Sequence, residues 1–275
     1  MWTLVERCKY LHLLKKTLLR YPLLPIEQWM AVALKGVDSE LLGEITAWAG
    51  ASSLGLAGAT HVDPTMREWG LDWPEEGETM IGLRRLANIE YCINSILQCG
   101  VPGDIAETGV WRGGASIFMR AVLKAHGEQR RSVWVADSFQ GLPRPDAAKY
   151  GADRGDDLWT YPQLAVGLET VKRNFERYGL LDDQVRFLPG WFRDTLPSAP
   201  IERLAVLRLD GDMYESTIIA LQSLYQKVSP RGYVIVDDYY SIESCRRAVD
   251  DFRREHGVRS PICPVDWTGM FWQIL

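Results

Sequence analysis

The stretch GDIAETGVWRGGASIFMRA, residues 103–121, decides the fold. DIAETG (104–109) reads as a short apolar strand that ends in a glycine turn, and SIFMRAVLKAHG (116–127) as a helix with a glycine stop. The same alternation continues downstream. SVWVADS (132–138), VRFLPG (185–190), LAVLRLDGD (204–212) and YVIVDDY (233–239) read as strands. LAVGLETVKRNFERYGL, STIIALQSLYQKVSPRG and a segment from about Ser241 to His256 read as the helices among them. PICPVDW and MFWQIL, separated by a Thr-Gly turn, read as a closing hairpin. Apolar strands separated by helices predict an α/β protein with a parallel sheet covered on both faces. Ligands of such sheets bind outside the carboxyl ends of the strands. Glu107, Asp137, Asp210, Asp212, Asp237 and Asp238 all fall at those ends, which predicts a common site.

Upstream, EEGETMIGLRRLANIEYCINSILQCG (75–100) reads as a helix with Leu83, Leu86, Ile89, Ile93 and Ile96 on one face. AWAGASSLGLAGATHVDPT (47–65) reads as a mobile loop or lid, with His61 in it. At the N-terminus, Leu4, Cys8, Leu11, Leu14 and Leu18 recur at helical spacing, as in a helix packed on its own domain or on a second copy. The expected organisation is N-terminal helices and lid over 1–100 and the α/β core over 101–275. A net charge of −5 argues against a nucleic-acid or anionic-membrane binder. No apolar run is long enough to span a bilayer. Cys8, Cys92, Cys99, Cys245 and Cys263 are scattered without CxxC spacing, which fits reduced thiols in the cytoplasm.

The glycines 109, 113 and 114 let a ligand approach the backbone, and a helix N-terminus favours a carboxylate or phosphate. The pattern is neither GxGxxG nor a P-loop. Glu107 before Gly109 suits a ligand with a cationic amine, such as the methionine part of S-adenosylmethionine; a plain strand-helix turn fits the same residues. Asp137 lies 23 residues beyond Gly114, the spacing of an acid that takes ribose hydroxyls, or it caps a helix. In FLPGWF (187–192), Trp191 or Phe192 suits an adenine ring or a core position. Asp210, Asp237 and Asp238 on adjacent strand ends would repel one another without a cation, and an oxygen-only set suits Mg²⁺. Helix capping by one or two of them is the plainer alternative.

Together TMIGLRRLANIE, GDIAETGVWRGGASIFMRA, VWVADSFQGLP, VKRNFERYGL, FLPGWFRDTLP, LRLDGDMYEST and GYVIVDDY resemble the macrocin O-methyltransferase family, which includes deoxysugar O-methyltransferases that tailor macrolide and aminocoumarin antibiotics. The resemblance runs from about Thr79 to Val249 and takes in the N-terminal YLHLLKKTLLRY. It implies a class I methyltransferase sheet of seven strands with an antiparallel C-terminal hairpin, S-adenosyl-L-methionine and Mg²⁺. Carried over by motif, Thr79, Met80, Glu107, Gly109, Asp137, Ser138, Gly190, Trp191 and Asp210 would serve the methyl donor. Asp210, Asp237 and Asp238 would hold the metal, and Asp212 would be the general base. The loops at 45–70 and 144–163 are less family-like and are expected to shape the acceptor site. The implied reaction methylates a deoxysugar hydroxyl of a small-molecule glycosylated acceptor, in a protein expected to form homo-oligomers. A catechol-type O-methyltransferase and a non-catalytic nucleotide-binding protein of the same fold are the alternatives.

Overall fold

The computed structural model describes residues 2–20, 27–30, 58–61 and 63–275. In chain order the strands are β1 (Glu27–Met30), β2 (Gly58–His61), β3 (Asp104–Thr108), β4 (Val133–Asp137), β5 (Val185–Pro189), β6 (Leu204–Leu209), β7 (Val228–Val236), β8 (Cys263–Pro264) and β9 (Met270–Gln273). The helices are α1 (Leu4–Leu18), α2 (Pro64–Trp69), α3 (Gly82–Gln98), α4 (Gly114–Ala125), α5 (Leu168–Arg177), α6 (Phe192–Thr195), α7 (Tyr214–Leu224) and α8 (Glu243–Glu255). Seven strands form one sheet in the order β5-β4-β3-β6-β7-β9-β8. The β3–β4, β3–β6, β4–β5 and β6–β7 pairs are parallel, and β9 joins β7 antiparallel. This is the class I methyltransferase arrangement, with the expected hairpin at its edge.

The central strand β6, LAVLRL, is buried along its whole length, because helices cover both faces of a parallel sheet. One layer brings α1, α3, α4 and α5 onto the sheet around Leu18, Ile89, Phe118 and Phe175. The other brings α7 and α8 onto it around Leu221, Phe252 and Trp272. In α3 the expected face is the buried one, with Leu86, Ile89, Ile93 and Ile96 fully covered and Leu83 partly so. Helix α1 opens with a capping box between Thr3 and Glu6 and buries Leu11, Leu14 and Leu18. Leu4 and Cys8, expected on the same face, are exposed.

Three local expectations change. The helix read through to the Pro-Arg-Gly turn stops at Leu224, and β7 begins early, at Val228. A register shift in the β6–β7 pairing absorbs Pro230, Arg231 and Gly232. Residues 58–61, read as part of a loop, form β2 and pair antiparallel with β1. Residues 47–57 and 62 of that 47–65 loop, and the side chain of His61, lie outside the described residues. The insertion at 144–163 carries short 3-10 turns and is pinned at its middle and at its C-terminal end. Asp153 accepts from the amides of Tyr214 (2.7 Å) and Glu215 (2.9 Å), and the Trp111 indole N–H donates to the Gln163 carbonyl (2.9 Å). No helix among the described residues is long and apolar enough to cross a membrane.

Candidate active site

The site begins where β3 and β6 end side by side. Gly109 has φ +85°, and a Cβ there would lie 1.7 Å from the Asp210 carbonyl oxygen, so only glycine allows this approach. The Gly114 amide at the start of α4 donates to the Glu78 carbonyl (2.9 Å), which presses the Thr79–Met80 segment against the glycine turn. A cavity of about 350 Å³ runs along the strand ends, within the range of small-molecule sites. The residues assigned from sequence to the methyl donor, metal and base line it, with one exception. Gly190 does not line it; it makes the turn after β5 at φ +134°.

Asp210, Asp237 and Asp238 bring carboxylate oxygens within 4.8 Å of one another. Asp210 follows β6, and the other two follow β7. Asp212 stands apart from Asp210 because its own backbone is left-handed, at φ +57°, a conformation that Asp tolerates better than most residues. Burial, then the charges of Asp210 and Asp237, push its carboxyl up to about 8. Asp238 is raised well above the usual carboxylate range by burial and by Asp212, Asp210 and Asp237. Its Oδ2 is buried without a hydrogen-bond partner.

Two buried arginines organise the acids, and the sequence reading passed over both. Arg208, 1 % exposed within β6, donates through Nη1 to Glu107 (2.5 Å) and to Asp210 (2.8 Å), and through Nη2 to Asp237. Arg85 from α3 binds Asp237, Asp266 (3.0 Å) and the Gly70 carbonyl (3.3 Å). The available signal was a cation inside an apolar strand pattern, LAVLRL, which has to find a partner when buried. A further unforeseen acid is Glu215, which lines the cavity, takes a hydrogen bond from Arg193 (3.2 Å) and leaves Oε2 without a partner.

Glu107 is also held by the Ser116 hydroxyl, so both of its oxygens are engaged within the protein. Burial raises it to about 7 against the opposing pull of Arg208. Glu107 thus anchors Arg208 while it lines the cavity beside Gly109. Asp137 accepts from the amides of Val110 and Phe139, both at 2.7 Å. The Ser138 hydroxyl lies 3.4 Å from the same carboxylate, and Asp137 lines the cavity. Ser138 donates to the Gly141 carbonyl (2.6 Å) and accepts from the Gln140 amide (2.9 Å).

Charge balance tests what the site can hold. Glu107, Asp210, Asp212, Asp237, Asp238 and Asp266 face two guanidiniums, so full ionisation would leave four uncompensated negative charges. Burial raises Glu107, Asp210, Asp212 and Asp238 together, and the charges of their acidic neighbours add to it, so the acids resist full ionisation. An oxygen-only cluster with an orphaned carboxylate oxygen and surplus charge fits a hard divalent cation such as Mg²⁺.

The same balance predicts a pH dependence of stability. Glu107 and Asp212 have folded pKa values of about 7 and 8, above the ordinary carboxylate values of the unfolded chain. Between those limits the folded state binds more protons, so stability falls as pH rises. The melting temperature in EDTA is expected to drop between about pH 5 and pH 8, and Mg²⁺ to flatten the drop. A flat profile in EDTA would contradict the raised pKa values.

Sequence and structure comparisons agree with one another. The model of the Macrocin-O-methyltransferase (TylF) family matches residues 7–274. The 8-demethyl-8-(2,3-dimethoxy-alpha-L-rhamnosyl)-tetracenomycin-C 4'-O-methyltransferase of Streptomyces olivaceus is 58% identical over 217 residues, 78% of this chain and 82% of that protein. The demethyldecarbamoylnovobiocin O-methyltransferase of Streptomyces niveus is 52% identical over 219 residues, 78% of this chain and 84% of that protein. The solved structure of the O-methyltransferase NovP superposes with a TM-score of 0.83 at 43% identity, covering 98% of this chain and 99% of that one.

Proposed function

The chain belongs to the macrocin O-methyltransferase family, and from that premise we propose that it is a Mg²⁺-dependent enzyme that moves a methyl group from S-adenosylmethionine to a deoxysugar hydroxyl of a glycosylated natural product. The observation that carries this reading is the placement of Asp212 beside an acid trio on the cavity that the glycine turn opens. The relative named for methylating a rhamnosyl group supports a sugar as the acceptor.

In this reading Thr79 and Met80 close over the methionine end, with Glu107 and Gly109 behind it. Asp137 and Ser138 take the ribose, and Trp191 borders the adenine, while Gly190 serves only the turn that carries Trp191. S-adenosylmethionine supplies the electrophilic methyl group. Asp210, Asp237 and Asp238 would hold Mg²⁺, which supplies Lewis acidity that makes an acceptor hydroxyl easier to deprotonate. Asp212 receives the acceptor proton, and a base with a pKa near the working pH suits that task. Arg208 and Arg85 fix Asp237 from two sides, so its orientation is set before the acceptor arrives. The cavity walls orient the hydroxyl toward the methyl group and exclude water.

Two further expectations belong here. Trp2, Leu4, Val5 and Leu13 leave an apolar strip exposed on and before α1, which supports self-association. All five cysteines are free, which supports a reducing, cytoplasmic setting.

The test is turnover with S-adenosylmethionine of a deoxysugar glycoside and of a catechol, each with Mg²⁺ and with EDTA. Methylation of the glycoside that EDTA abolishes and Mg²⁺ restores is the expected result. Turnover of the catechol alone would favour a catechol-type enzyme, and activity indifferent to EDTA would overturn the metal assignment.

A further inference from the structure

The acids lie next to an exposed tryptophan whose position is locked to theirs. Trp267 sits in the turn between β8 and β9, lines the same cavity and is 44 % exposed. Its two neighbours are both tied to Asp237. Asp266 shares the Arg85 guanidinium with Asp237, and it closes the turn by accepting from the amides of Thr268 (3.0 Å) and Gly269 (2.8 Å). Thr268, 1 % exposed, donates its hydroxyl to the Asp237 carbonyl (3.0 Å) and meets Ser241. The indole N–H donates to the Trp69 carbonyl (2.8 Å), so the ring's one polar atom is satisfied. Trp69 in turn carries the Arg84 guanidinium 3.8 Å from its ring centre. Nearly half of the side chain stays exposed, and among the described residues no other aromatic ring pairs with it.

A rigid aromatic face held in place by hydrogen bonds is a low-entropy binding surface. It is also at a fixed offset from the acids that would act on the sugar hydroxyl. A glycoside whose sugar reaches Asp212 has to lay its aglycone along the cavity wall. The other exposed tryptophan of the lining, Trp73, is already engaged edge-to-face with Tyr161 (5.9 Å) and has no comparable tie to the acids.

Building on the sugar-methylation reading, we propose that Trp267 is the stacking platform for the aglycone and selects acceptors whose sugar is attached to a flat aromatic ring system. Trp267 then contributes to acceptor binding and leaves the chemical step alone.

The test compares two glycosides of one deoxysugar, an aryl glycoside and a small alkyl glycoside, in wild type, Trp267→Phe and Trp267→Ala. Wild type is expected to favour the aryl glycoside through KM. Trp267→Ala raises KM for the aryl glycoside by about 10-fold or more and removes the preference, with kcat little changed; Trp267→Phe keeps most of it. Calorimetric affinity for S-adenosylhomocysteine, unchanged in both variants, shows that the fold is intact. A wild type without aryl preference, or a Trp267→Ala variant that keeps it or loses turnover equally on both glycosides, overturns the proposal. A wild type that methylates neither glycoside instead removes the sugar-methylation reading on which it rests.

Discussion

Asp212→Asn is expected to lower kcat by about 10²- to 10⁴-fold, the usual contribution of a general base, while the affinity for S-adenosylhomocysteine stays at the wild-type value. Asparagine preserves shape and tolerates the left-handed backbone at φ +57°. What it loses is the capacity to accept a proton. It also removes a buried carboxyl that repels Asp210 and Asp237 whenever it ionises, so the variant is expected to fold at least as stably as wild type at neutral pH. Loss of turnover with unimpaired stability therefore isolates the chemical role. Near-normal turnover of Asp212→Asn would remove the base assignment. A lost affinity for S-adenosylhomocysteine would instead place Asp212 in the donor site.

Arg208→Met is expected to destabilise the protein by about 3–5 kcal/mol, the cost of leaving buried ionic partners without their counter-charge. Arg208 is 1 % exposed and serves acids from three neighbouring strand ends, Glu107, Asp210 and Asp237. Methionine fills much of the volume but leaves those carboxylates facing one another, with Arg85 reaching only Asp237 among them. Urea unfolding at neutral pH measures the effect. Lowering the pH is expected to recover part of the loss, because protonation relieves the same repulsion. Lysine is expected to rescue poorly, since a single ammonium cannot reproduce the guanidinium fork. An Arg208→Met variant as stable as wild type would show that the acids are neutral without it.

The two variants separate what the sequence alone could and could not reveal about the acids. Strand ends, glycine turns and the order of elements are local patterns. GDIAETG and LAVLRLDGD announce a strand followed by a tight turn because hydrophobic runs and glycine act on the chain within a few residues. The gathering of Glu107, Asp137, Asp210, Asp212, Asp237 and Asp238 at one edge follows from those patterns, because parallel strands share a direction. The β7 start at Val228 was not legible, since its first residues are held by β6 through a shifted register that no local pattern encodes. Arg85 was hidden for a related reason. Its partners Asp237 and Asp266 are 152 and 181 residues away, and in its own segment it is one more charged residue on an amphipathic helix.

The sequence by itself determined the α/β alternation, the edge of the sheet where the acids gather, and which acids are available there. Only the tertiary structure decided how those acids divide the work. Glu107 turns inward to Arg208 and Ser116, Asp237 is clamped by two guanidiniums, and Asp238 keeps an unpartnered oxygen. Asp212 leaves the line of Asp210 through a left-handed turn. The physical reason is that charge compensation depends on distance in space, and residues that neutralise one another here come from β3, β6, β7 and α3. Hydrophobic periodicity records which side of an element faces inward, whereas the partner of a buried charge is settled when the elements pack.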